Sequence, residues 1–157
     1  MDRERLSALL PPNCRLILGP VDETVPEFVG GALTPSAPLG FVAFDLDYYS
    51  STKQALVLLA DPDPAKYLFT PTLYFDDIVL PYYCDWAGEL LAISEFNSEQ
   101  PMRKIQQYRF LRSRRIFKNA RWIDQIFILH LFDHPRLCAP HQRREMQNVY
   151  LNQLNPS

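Results

Sequence analysis

The chain has 157 residues, 47% hydrophobic and 13% aromatic, with 16 Lys and Arg against 18 Asp and Glu. Such a composition suits one globular domain with a core of its own, spanning 1–157, and excludes a disordered chain, which is poor in apolar and aromatic residues. It also excludes a bilayer-spanning segment, because no stretch approaches the roughly 20 consecutive apolar residues that one needs.

Residues 2–10 read as a short helix stopped by Pro11-Pro12. The apolar run Cys14-Arg15-Leu16-Ile17-Leu18-Gly19 predicts a strand, and Asp22 to Val29, with early acids and Pro26 near the first turn, predicts a helix closed by Gly30-Gly31. Gly40 to Leu46 holds an unbroken apolar run, which predicts a strand buried on both faces, as in parallel sheets. Ser50, Ser51 and Thr52 are cap candidates for a helix reaching Leu59. Thr72-Leu73-Tyr74-Phe75 predicts a second buried strand, and Trp86 to Phe96 a helix.

Charge then changes sign. Residues 1–100 carry 5 basic and 15 acidic side chains, and residues 101–157 carry 11 basic and 3 acidic. The basic residues Arg103, Lys104, Arg109, Arg112, Arg114, Arg115, Lys118 and Arg121 alternate with Ile105, Tyr108, Phe110, Leu111, Ile116 and Phe117. A short strand at 103–108 and an amphipathic helix at 109–119 with a solvated face account for that pattern, so nucleic acid is not the expected partner. Gln125 to Phe132 predicts the last strand.

The alternation of strand and helix predicts an α/β fold with a mostly parallel sheet, helices on both faces and an antiparallel C-terminal strand. Acids concentrate at two strand ends, Phe44-Asp45-Leu46-Asp47-Tyr48 and Phe75-Asp76-Asp77-Ile78. Ligands of open α/β sheets bind beyond the carboxyl ends of the strands. If these two strands are neighbours, about 4.8 Å apart, the carboxylates converge and repel unless a divalent cation neutralises them. Oxygen ligands of this kind select Mg²⁺, Mn²⁺ or Ca²⁺ over zinc.

At these residues the chain resembles a family. FVAFDLDYYSSTKQAL and TLYFDDI are similar to the fourth and fifth strands of class I S-adenosylmethionine-dependent O-methyltransferases, above all the macrocin- and novobiocin-type sugar methyltransferases. LILGPVDETVPEF resembles their third strand and the helix after it. The resemblance covers about residues 14–80 and implies a Rossmann-like fold of which this chain is the C-terminal portion. It implies Asp45, Asp76 and Asp77 as Mg²⁺ ligands, Asp47 as the general base, S-adenosylmethionine as cofactor and a small-molecule hydroxyl as acceptor.

The departures are equally definite. The glycines stand only at 19, 30, 31, 40 and 88, so no G-x-G turn exists for the cofactor. Gly19-Pro20 replaces Gly-Asp, Pro71-Thr72 replaces Gly-Gly, and Ile78 stands where the family has an aromatic residue. With the first two strands of the family missing, the strands at 14–19 and 40–46 would expose an edge, so a homodimer joined near 14–46 is expected, and a methyltransferase-like protein inactive as it stands, or a non-catalytic domain that self-associates, is the alternative.

A third reading takes Asp45-Leu46-Asp47 as the D-x-D of haloacid-dehalogenase phosphatases, with Asp45 as nucleophile and Asp47 as acid/base. Against it, Tyr48-Tyr49 replaces the usual small turn, and Asp76 follows Asp45 by only 31 residues. The cluster His130, Asp133, His134, Cys138 and His141 reads as a strand and its turn rather than a zinc site, because i,i+4 residues do not converge there. The three cysteines, Cys14, Cys84 and Cys138, are widely spaced and read as buried or idle thiols. Trp86 and Trp122 read as core or rim, and Tyr48, Tyr49, Tyr82 and Tyr83 as either core or the lining of an acceptor pocket. The charged start Met1 to Arg5 lacks the apolar core of a signal peptide, so the expected location is cytoplasmic, with no membrane partner.

Overall fold

In the computed structural model, residues 3–79 and 84–138 are described. Helix α1 (Arg3–Leu9) and helix α2 (Val21–Gly31) precede strand β1 (Leu39–Phe44). Helix α3 (Tyr49–Ala55) runs on through a 3-10 turn, Leu56–Leu59, and leads to strand β2 (Tyr67–Phe75). Helix α4 (Gly88–Glu99), strand β3 (Arg103–Gln107), strand β4 (Ile126–Leu131) and helix α5 (Pro135–Cys138) complete the described chain.

The sheet has the order β1-β2-β4-β3. β1 and β2 pair parallel, while β4 lies antiparallel to both β2 and β3. Three strands therefore point one way and β4 the other, and the single parallel pairing corrects the expectation of a mostly parallel ladder. The strands ending at Asp45 and Asp76 are neighbours, with Phe44 opposite Phe75.

Burial alternates along the strands, as the two-residue period of a strand requires when one face is covered. Phe44, Leu73, Phe75, Ile105, Phe127, Leu129 and Leu131 point to one side and are buried. They pack with Leu33, Leu56, Leu59, Ala92, Ile93 and Phe96 from the helical layer, in which α2 meets α3 and α3 meets α4. The rings of Phe44 and Phe75 stack at 4.6 Å, and Phe127 meets Phe75 edge-on at 5.2 Å. The opposite side carries Phe41, Ala43, Tyr74, Ile126, Ile128 and His130, and none of these is buried. Among the described residues a two-layer arrangement thus stands where helices on both faces were expected.

Two predicted elements are absent. Residues 14–18 form no strand; Arg15 and Ile17 instead line a groove with Thr24, Glu27 and Phe28 of α2. An apolar run becomes a strand only where a ladder partner satisfies its backbone, and β1 is not beside it. The segment 109–119 is not a helix either. Only a 3-10 turn at Arg112–Arg114 forms there, and the Arg112 side chain, which donates to the Lys118 carbonyl, stands in for helical pairing.

Candidate functional site

The acids follow from strand geometry. β1 and β2 end side by side, and the last ladder bond runs from the Asp76 N–H to the Phe44 carbonyl at 3.1 Å. Beyond that bond the chain turns sharply. Asp47 has φ +53°, a left-handed value that is uncommon outside glycine, and the Tyr48 N–H donates to the Leu46 carbonyl two residues back. This tight turn folds Asp47 over the end of β1, where its own N–H donates to Asp77 Oδ2 at 3.2 Å.

As a result Asp45, Asp47 and Asp77 each offer a carboxylate oxygen within 4.8 Å of the other two. Their mutual charge is visible in Asp47, whose carboxyl titrates above its ordinary value. The hydrogen bond with Asp77 contributes most, followed by the Asp77 charge, with Asp45 and Asp76 adding to it. Asp76, which sequence reasoning groups with the ligands, is held differently. Its carboxylate accepts from the Tyr74 hydroxyl and from Gln125 Nε2, which also donates to its carbonyl at 2.7 Å. The Tyr74 hydroxyl is correspondingly raised to about 12, chiefly by that bond.

One site residue escapes the sequence reading. Glu89, in the first turn of α4, is fully buried, and its Oε2 accepts the Asp77 N–H at 3.1 Å. Its Oε1 has no hydrogen-bond partner among the described residues. Burial, reinforced by the charges of Asp77, Asp76 and Asp45, raises the carboxyl to about 7 against the bond from Asp77. An acid two positions into a helix reads in sequence as a complement to the helix dipole, and only Gly88 before it, at φ +59°, marks a special entry. Beside the acids, an open depression is lined by Ile78, Val79, Asp85, Leu90, Gln107 and Asp124 among others.

The aromatic candidates separate. Tyr48 is 70% exposed beside the acids, whereas Tyr49 donates to Glu95 at 2.6 Å. Tyr82 and Tyr83 lie outside the described residues. Trp86 is 81% exposed and Trp122 42%, so neither is core. Cys14 and Cys84 are exposed free thiols, so of the two states expected of them burial does not hold. In the histidine cluster, Asp133 pairs with Arg103, and His134 Nδ1 accepts the Arg136 N–H at 3.2 Å. His130 lies on β4, and His141 lies outside the described residues.

Searches against protein-family models, curated proteins and solved structures find no match to this chain.

Proposed function

We propose that the chain is a methyltransferase-like α/β domain whose carboxylates hold a divalent cation of the Mg²⁺ or Mn²⁺ kind. The reading rests above all on the convergence of Asp45, Asp47 and Asp77 beyond two adjacent parallel strands. The pairing of an antiparallel last strand with β2 is consistent with the same resemblance. Oxygen donors that are exposed or half-buried, one of them raised by its neighbours, fit a hard cation. Asp45 and Asp77 would hold the ion, and Asp76, braced by Tyr74 and Gln125, would keep the end of β2 in register.

When bound, such an ion orients an acceptor hydroxyl and lowers its pKa. Asp47, beside the ligands on a turn that projects it over the strand end, is placed to accept the hydroxyl proton. This is the substrate half of metal-assisted O-methyl transfer. S-adenosylmethionine does not fit the described residues, which supply neither a Gly-rich turn nor an acid for its ribose.

Calorimetric titration tests both halves. Mn²⁺ should bind saturably to the wild-type chain, about tenfold or more weakly to Asp77→Asn, and within about threefold of wild type to Asp76→Asn. S-adenosylmethionine should give no saturable heat. Equal Mn²⁺ binding in wild type and Asp77→Asn, or none in either, contradicts the cation site.

A further inference from the structure

The loop between β3 and β4 is unlike the rest of the surface. From Arg103 to Ile123 the chain carries eight basic and no acidic residues. Leu111 and Ile123 are buried and anchor its two ends. Arg112 closes its base by binding the Lys118 carbonyl and the Asp124 carboxylate. At the far end Ile116 is 93% exposed and Phe117 77%, and Phe110 also faces solvent. Arg115 lies 5.8 Å over the ring of Trp122, which borders a shallow hollow with Ile116 and Phe117.

The amphipathic helix that would have given these cations a merely solvated face does not form. What exists is a pinned loop that thrusts two large apolar side chains into water on a segment that also exposes Arg114, Arg115, Lys118 and Arg121. Exposed adjacent apolar residues of this size mark a contact surface. The geometry points to docking of this loop on an anionic phospholipid surface, with Ile116 and Phe117 entering the interface and the surrounding cations meeting the headgroups. Charge complementarity carries the choice of partner: cations near an anionic leaflet are worth about 1 kcal/mol each, and apolar side chains gain by leaving water at the acyl boundary.

Nucleic acid is the less favoured partner. Phosphates would engage the cations and Phe117 offers a ring for a base, but Ile116, the more exposed of the two at 93%, offers none, and only a lipid interface takes both tip side chains out of water. No helix among the described residues is long and apolar enough to cross a bilayer, and docking at a lipid surface needs none.

Co-sedimentation of the full chain with vesicles decides it. Wild type should sediment with vesicles of phosphatidylcholine mixed with phosphatidylserine, release in raised salt, and ignore phosphatidylcholine alone. Ile116→Ser/Phe117→Ser should bind about tenfold more weakly, and Arg114→Ser/Lys118→Ser weaker by about fivefold for each charge removed. All four side chains are exposed, and unchanged thermal melting would confirm that the variants fold. Failure of wild type to sediment overturns the inference, as does full binding by Ile116→Ser/Phe117→Ser. Binding of an oligonucleotide by wild type and that variant alike, without vesicle binding, assigns the loop to nucleic acid instead.

Discussion

At the scale of single residues, two carboxyls show how position overrides type. Asp45 and Asp77 are legible in sequence because each follows a buried apolar run and so must emerge at a strand end. Asp47 is expected beside them from the same strand end, but the left-handed turn that places it over β1 is not legible. Asp76 and Asp77 are adjacent in the chain yet meet different company: Asp76 is held by Tyr74 and Gln125, while Asp77, in the turn beyond β2, meets Asp47. Glu89 lies 44 residues beyond Asp45, and only the packing of α4 against the sheet brings it under the acids.

Glu89 has a consequence for stability. Its carboxyl is raised to about 7 in the folded chain from an ordinary 4.5. The folded state therefore holds a proton that the unfolded state has released between those values. Its contribution is fully present below pH 4.5 and is lost as pH rises through about 7, a change on the order of 3 kcal/mol. Without divalent cations, urea denaturation should show wild type losing stability between pH 5 and 8. Glu89→Gln, which keeps an acceptor for the Asp77 N–H, should show a flatter profile and be the more stable at pH 8. Parallel profiles for the two proteins would remove Glu89 as the cause.

At the scale of elements, the two sheet edges contrast. β3 is guarded: Asn97 of α4 accepts the Ile105 N–H at 2.6 Å and donates to the Ile105 carbonyl at 2.8 Å, filling the place of a missing strand. β1 has no strand partner on its outer side among the described residues. Its sequence, LGFVAF, holds no charge or proline to repel one, and Phe41 is 60% exposed. Natural edges of this kind are usually protected. A second copy pairing antiparallel at β1 would extend the sheet and keep the two sets of strand-end acids apart. Light scattering at micromolar concentration should accordingly give twice the chain mass, shifting to the monomer in Phe41→Lys. A wild-type monomer would refute the dimer.

Element prediction succeeded where local pattern and partner agree. The runs at β1, β2 and β4 are long and apolar, and each found a neighbouring strand. The run at 14–19 has the same local pattern, but no strand pairs with it and Ile17 and Leu18 stay exposed; pattern alone does not reveal whether an apolar run will find a ladder partner. The basic segment at 109–119 failed for another reason. Its apolar residues lack a helical spacing that would bring them to one face, so only Leu111 is buried there and the remainder stays outside.

At the scale of the molecule, charge is divided between the two halves of the sequence. The first 100 residues carry the excess of acid, including the strand-end site, and the later residues carry the excess of base, including the loop between β3 and β4. That loop leaves β3 at its carboxyl end, the same end of the sheet at which β1 and β2 present their acids. Near-neutral net charge thus conceals two opposite fields, one suited to a cation and one to an anionic surface.

The acidic field is the central claim, and a crystal soaked in Mn²⁺ tests it most directly. The anomalous difference map should place a peak between Asp45 and Asp77, beside Asp47, with oxygens of the two ligand carboxylates about 2.1–2.3 Å away, as for hard divalent ions. A map with no peak there, or with the ion bound only at other surface carboxylates, would contradict the account.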